Sequence, residues 1–337
     1  MLESTSARVD APVAWHLGDP LAEQRALLIG NARVNLSHFC VIKVSGPDRL
    51  PWLHLLLTQA VEHLAPMQSV QALILSATGH IEHDLKVIDD GECTWLFAEP
   101  GTGVSLLAYL QSMVFMYRVE VVDVSNAFAV VGHLQGSDAA TSGTASRADD
   151  GYLAWRAPAA LAVADCTDDP YVPVRPAPWP AVLRLVPREQ LAGMGFAAGM
   201  WAWEAARVAA AVPRLTFEID HRTLPHEVGL IGSAVHRAKG CYRGQEAVAR
   251  TLNLGRPPRR LVLLHLDGSS EALPASGAPV LADDAREVGY IGTAVVHCDL
   301  GQIATAVVKR AVEPHAQLAV RIDGADIVAA QQPVVVI

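Results

Sequence analysis

Beyond Arg256-Pro257-Pro258 the chain breaks into short apolar runs divided by turn residues. The runs are Arg260–Leu266, Val280–Leu281, Val288–His297, Ile303–Lys309 and Leu318–Ile322. Asp267-Gly268, Asp283-Asp284, Asp299-Leu300-Gly301 and Asp323-Gly324 separate them. Strands this short, with turn chemistry at each break, pack as a small antiparallel barrel. The two prolines fix the backbone just before it and mark a linker.

Upstream, strand and helix patterns mix. A short helix is expected near Pro20–Ile29, within an otherwise loose N-terminal arm. Phe39–Val44 reads as a strand that ends in Ser45-Gly46-Pro47-Asp48, a turn able to cap a helix. Leu53, Leu56, Leu57 and Val61 recur at helical spacing over 50–61. Gln71–Ser76, Ile81–Ile88 and Cys93–Ala98 read as strands, with a hairpin turn at Asp89-Asp90-Gly91-Glu92. Gly103–Phe115 reads as a helix, and Val119–Val124 and Ala127–Gly132 as strands. Gly136–Gly151 is expected to be a loop, and Leu153–Trp155 a strand paired with Leu161–Ala164. Five prolines in the eleven residues from Pro170 to Pro180 make that stretch extended. Ala197–Val212 is an alanine-rich helix stopped by Pro213, and Leu230–Val235 is strand-like. The fold class is α+β.

The 337 residues are 51% apolar and 18% charged, which supports globular domains with real cores. A net charge of −9 argues against a protein that grips nucleic acid through a basic surface. The five cysteines, Cys40, Cys93, Cys166, Cys241 and Cys298, form no CxxC pair, so neither a disulfide framework nor a cysteine zinc site is expected. The N-terminus lacks the apolar stretch of a signal peptide, and no run is long enough to cross a bilayer. These features predict a soluble, cytoplasmic protein.

The strongest chemical signal is Lys239-Gly240-Cys241-Tyr242-Arg243-Gly244-Gln245-Glu246. Two cations flank the thiol, and a helix starts just after it; both favour thiolate. The glycines allow a sharp turn. The same residues also suit a small buried cysteine beside a tight turn. No histidine adjoins Cys241, so a Cys–His catalytic pair is not indicated. Leu224-Pro225-His226-Glu227 presents a second candidate loop. In Glu82-His83-Asp84 neighbours on a strand face opposite ways, so a metal site is not expected and Asp84 alone is the candidate for a pocket. Arg207, three residues after Glu204, is placed either to pair with it or to reach a ligand.

The octapeptide resembles the motif of the YgfZ family, folate-binding proteins related to the T-protein (aminomethyltransferase) of the glycine cleavage system. Val34-Asn35-Leu36-Ser37-His38, Val44–Leu50 and Ser76–Leu85 resemble other family stretches in the same order. The resemblance runs from about residue 34 to 310 and is weak over 135–195. It implies a three-domain aminomethyltransferase-like architecture around a central cavity: residues 30–125 with 197–255, residues 126–196, and a barrel at 256–337. It implies tetrahydrofolate or a one-carbon derivative as cofactor. It further implies a role with iron–sulfur client proteins or assembly factors and a link to tRNA modification, with neither membrane binding nor direct nucleic-acid binding. Cys241, tuned by Lys239 and Arg243, takes the reactive role. Asp84, Arg207, Glu227, Tyr242, Gln245 and Glu246 are the expected folate contacts. His83 stands where the T-protein has an aspartate. In Arg207-Val208-Ala209-Ala210-Ala211 the T-protein's pterin-binding glutamate is absent. An aminomethyltransferase or demethylase is the alternative reading, and a scaffold with a vestigial pocket the third.

Overall fold

The computed structural model describes residues 10, 12–135, 151–158, 173–254, 256–283 and 285–335. Most of the expected loop at 136–151 and the Leu161–Ala164 strand lie outside them. Helix α1 (Pro20–Leu28) follows Asp19, whose carboxylate accepts from the Ala22 N–H. Proline at its first position lacks only a donor that would be orphaned there anyway.

Two antiparallel sheets make up the body. The first has order β3-β4-β5-β2-β6, from β2 (Cys40–Ser45), β3 (Ser69–Leu75), β4 (Ile81–Asp89), β5 (Cys93–Ala98) and β6 (Glu120–Asp123). The second has order β1-β7-β9-β8, from β1 (Val34–Asn35), β7 (Phe128–Leu134), β8 (Leu153–Arg156) and β9 (Ala181–Pro187). A core of Ile42, Trp52, Leu53, Leu85, Val87 and Leu106 joins the outer face of the first sheet to α2 (Arg49–Leu56) and α3 (Gly103–Ser112). A second core, with Trp95, Phe97, Trp155, Trp179 and Trp203, fills the space between the sheets and α4 (Met200–Ala209).

Several expected boundaries shift. α2 stops at Leu56 instead of continuing to Val61. Thr58 draws the chain into β3: its N–H donates to the Leu73 carbonyl, and its hydroxyl accepts from the Leu73 N–H while donating to Ala234. α4 ends at Ala209, three residues short of Val212, because Ala211 turns to φ +48. Leu230–Val235 is not a strand. It holds a one-turn helix, α5 (Ile231–Ala234), buried on almost every side. A short run that is apolar all round has no periodicity to separate the two conformations.

The C-terminal runs close a barrel of order β10-β13-β12-β11-β14-β15, all antiparallel. Its strands are β10 (Arg259–Leu266), β11 (Pro279–Leu281), β12 (Glu287–His297), β13 (Gly301–Lys309), β14 (Leu318–Ile322) and β15 (Ala325–Pro333). β15 is the strand the sequence pattern does not single out. Its fully buried positions are only Ile327 and Ala329, while Val328 is exposed, a weak apolar alternation. α4 buries Ala205, Val208 and Ala209 against Leu261, Leu263 and Val307 of the barrel.

Candidate functional site

Asp84 and Lys86 alternate with Leu85 on β4, so both face inward while Leu85 faces the α2 side. With Gln71, Glu99, Arg207, Arg214 and Phe39 they line a central cavity walled by Trp155, Trp179 and Trp203. The cavity and its opening to solvent span about 470 Å³ between atoms, of which about 40 Å³ admits water. Trp179 and Trp203 meet edge to face at 4.8 Å and narrow it. Asp84 accepts hydrogen bonds from Gln71 Nε2 and Lys86 Nζ, both at 2.9 Å. Gln71 Oε1 is enclosed and has no partner among the described residues.

A chain of buried ion pairs leads away from Asp84. Lys86 reaches Glu99; Glu99 accepts from Arg214; Arg214 reaches Asp10 and Glu204; Glu204 pairs with Arg207, and Arg207 with Glu218. Glu218 ends the chain on Thr293 and Thr305 of the barrel. Five carboxylates (Asp10, Asp84, Glu99, Glu204 and Glu218) thus face three cations (Lys86, Arg207 and Arg214). Burial alone would raise the Asp10 carboxyl. Hydrogen bonding from His38 and the charge of Arg214 outweigh it and hold Asp10 near 2. Burial likewise opposes charge on Arg214, but Glu204, Glu99 and Asp10 drive its pKa up.

Arg207 does not extend a free guanidinium into the cavity. Its five N–H donors go to both oxygens of Glu204, to Glu218, to the Val212 carbonyl and to Thr293. That leaves none for a ligand's anionic tail, contrary to the expectation for it. Glu227 is also placed elsewhere. It is fully buried, and its carboxylate takes Arg259 of β10 and the Leu224 N–H, tying the barrel to the loop before α5. Of the residues expected to contact folate, the structure therefore brings Asp84 and Arg207 to the cavity, Arg207 with its donors already committed. The cavity's other members, Gln71, Lys86, Glu99 and the three tryptophans, carry no motif. Only the strand alternation that pairs Asp84 with Lys86 could have pointed to any of them.

The Cys241 loop lies outside the cavity, against the β3–β4 hairpin tip. Gly244 sits at φ +80; a Cβ there would lie 2.5 Å from the Ser76 carbonyl oxygen. A Cβ on Gly79 would lie 2.6 Å from that of Ala247 in helix α6 (Gln245–Leu254). Two glycines therefore let loop and hairpin interlock. Cys241 itself is exposed, which answers the choice between reactive and buried thiol in favour of an accessible one. Its expected frame divides. Lys239 is buried and donates to the carbonyls of His54 and Leu57, and burial pulls its pKa down to about 8. Tyr242 packs among Leu73, Leu75 and Val235, with the Lys239 ammonium 5.3 Å from its ring centre. Gln245 Nε2 donates to the Lys239 carbonyl, and Glu246 is exposed. None of Tyr242, Gln245 or Glu246 lines the cavity; the first two shape the loop. Arg243 gives one N–H to Glu82 at 2.9 Å and lies over the Tyr109 ring.

The architecture is that of an aminomethyltransferase. The chain superposes on aminomethyltransferase T of the glycine cleavage system from Bartonella henselae with a TM-score of 0.74, over 93% of this chain and 88% of that one, at 18% identity. In sequence it is similar to the tRNA-modifying protein YgfZ of Edwardsiella ictaluri, 27% identical over 308 residues, covering 86% of this chain and 88% of that protein. A chloroplastic protein of Arabidopsis thaliana named as a transferase is 27% identical over 268 residues, and the match spans 60% of that protein's length. The aminomethyltransferase of Nitrosococcus oceani is 29% identical over 124 residues, 35% of this chain. No family model matches the chain. Among the described residues no helix is long and apolar enough to cross a membrane.

Proposed function

We propose that this chain is a folate-binding protein of the YgfZ kind, which takes a tetrahydrofolate in the central cavity and offers Cys241 to a protein partner. The observation that carries the reading is the cavity itself. Three tryptophans supply flat walls, and Asp84 with the unpartnered Gln71 Oε1 supplies acceptors. Of the cavity's own charges, Asp84 and Glu99 with Lys86, Arg207 and Arg214, Asp84 is the acceptor placed for a ligand edge rich in N–H donors, as a reduced pterin has. The space open to water holds only a few molecules, at about 10–15 Å³ each. Entry of a pterin therefore requires Trp179 and Trp203 to separate. When bound, the folate would supply a one-carbon carrier. The chain's own part is to hold the ring edge on Asp84, with Lys86 and Gln71 fixing that carboxylate.

The YgfZ reading is preferred to aminomethyl transfer because Ala209 is packed against the barrel core, where no carboxylate replaces the glutamate of the T-protein helix. An accessible thiol on an interlocked loop also has no task in one-carbon transfer. That the partners are iron–sulfur proteins rests on the octapeptide resemblance. Titrating the protein with tetrahydrofolate should quench tryptophan fluorescence and release heat, and Asp84→Asn should weaken both. Absence of quench and heat at high ligand concentration would refute the cavity assignment. Turnover of an aminomethylated carrier protein would favour the transferase instead.

A further inference from the structure

A second opening lies on the other side of β4 from the central cavity. It runs between the hairpin tip, α3 and the 215–221 loop, and about 510 Å³ of it admits water. β4 reaches it through a bulge. Ile74 pairs with His83 and Leu75 with Ile81, which leaves Glu82 as the extra residue. The bulge breaks the alternation, so that Ile81, Glu82 and His83 all line the groove. On the facing loop Thr216 has φ +70. A β-branched residue is strained there, and such strain persists where surrounding structure over-determines it, often at ligand sites.

The hydrogen-bonding capacity of the groove is unevenly used. Its charged groups are matched: Glu82 by Arg243 and Asp220 by Arg259. Its buried neutral groups are not. His83, 6% exposed, makes no hydrogen bond among the described residues, and Tyr109 Oη is enclosed without a partner. Burial takes the His83 pKa down to about 4, so the ring is neutral near pH 7. The remaining walls include Ile81, Leu215 and Ile219. Apolar walls, cancelled charge and open neutral donors and acceptors complement a flat, uncharged ring with ring-nitrogen and N–H edges.

We propose that this groove is a second ligand site, separate from the central cavity, that takes an uncharged nitrogen heteroaromatic ring of nucleobase size, its edge on Tyr109 and His83. Arg243, 5.6 Å from the Tyr109 ring centre and two residues from Cys241, links the site to the thiol loop. This site does not depend on folate occupying the cavity.

The test is calorimetry and saturation-transfer NMR on the full chain with adenosine, uridine and nicotinamide. At least one should bind with Kd below about 1 mM. Tyr109→Phe and His83→Leu should each weaken it about tenfold. Asp84→Asn should leave it unchanged, and Tyr109→Phe should leave tryptophan quenching by tetrahydrofolate unchanged. AMP should bind no tighter than adenosine, since among the described residues no lysine or arginine lines the groove. Urea midpoints of each variant establish that it is folded. The proposal is overturned if none of the three rings binds, if binding ignores both groove variants, if Asp84→Asn abolishes it, or if AMP binds much more tightly than adenosine. Failure of the tetrahydrofolate quench alone would count against the cavity assignment and leave the groove standing.

Discussion

Lys239 and His54 are joined across 185 residues: the lysine ammonium donates to the His54 carbonyl, and also to that of Leu57, at the last turn of α2. The lysine that sequence alone would assign to Cys241 is instead the cation at a helix C-terminus. There it meets orphaned carbonyls and the negative end of the helix dipole. The thiol loop is held at its root by this contact.

Lys239→Met should therefore cost about 2 kcal/mol of unfolding free energy, as a charge-assisted bond to a helix end is removed. Urea unfolding measures it. A variant as stable as the parent would show that the ammonium does not hold the helix.

Gly244→Ala and Gly101→Ala make a matched pair. Both glycines sit at φ +80, but a Cβ meets the Ser76 oxygen at 2.5 Å in the first case and nothing within 4 Å in the second. Gly101→Ala should cost only the conformational penalty, about 1–2 kcal/mol. Gly244→Ala should cost about 1–2 kcal/mol more, because loop and hairpin must part. Equal losses in chemical denaturation would mean that the interlock contributes nothing.

Arg207→Met should be among the most damaging single changes. It takes from Glu218, fully buried, its side-chain cation and from Glu204, also fully buried, one of its two, Arg214 being the other, and breaks the tie from α4 to the barrel. A loss of about 3–5 kcal/mol is expected. Arg321→Met removes an exposed pair with Asp326 and should cost under about 1 kcal/mol. Thermal and urea unfolding of the two variants side by side check the contrast.

Acid should destabilise the protein in two steps. Burial takes His83 and His226 from 6.5 down to about 4 in the folded chain. As pH falls below 6.5 the unfolded chain binds these protons first, so stability is lost between pH 6.5 and 4, by up to about 3 kcal/mol per histidine. Asp10, held near 2 against 3.8, acts lower. Its contribution of about 2 kcal/mol is present above pH 3.8 and is lost as pH falls toward 2. His83→Gln should roughly halve the first step, leaving the His226 part, and leave the second. A pH series of denaturation midpoints in which His83→Gln matches the parent throughout would contradict this account.

Much of the fold was legible locally. Turn pairs such as Asp267-Gly268 and Asp323-Gly324 carry their conformational preference in the residues themselves, and five of the six barrel strands follow from them. β15 was missed because its inward face holds one large aliphatic residue, Ile327, while Val328 faces outward, and Leu230–Val235 was misread because burial on almost all sides erases periodicity. At the site, Asp84 was legible because strand alternation separates it from His83. Arg207 was read either as a partner of Glu204 or as a ligand contact, and Glu227 as a ligand contact, because sequence does not show which charges meet in space. Their partners are Glu218 from the loop after α4 and Thr293 from the barrel for one, and Arg259 from the first barrel strand for the other.

The sequence by itself determined the strand and turn pattern, the glycine-framed cysteine motif and the inward aspartate, since each rests on neighbours within a few residues. Tertiary structure alone decided which charges are committed and which space is open. Ion pairs and cavities depend on groups distant in the chain meeting at a few ångströms. Lys239 had to meet α2, and Arg207 the barrel, before Cys241 could be seen to stand exposed, with Arg243 as the cation of its motif that is not drawn into α2.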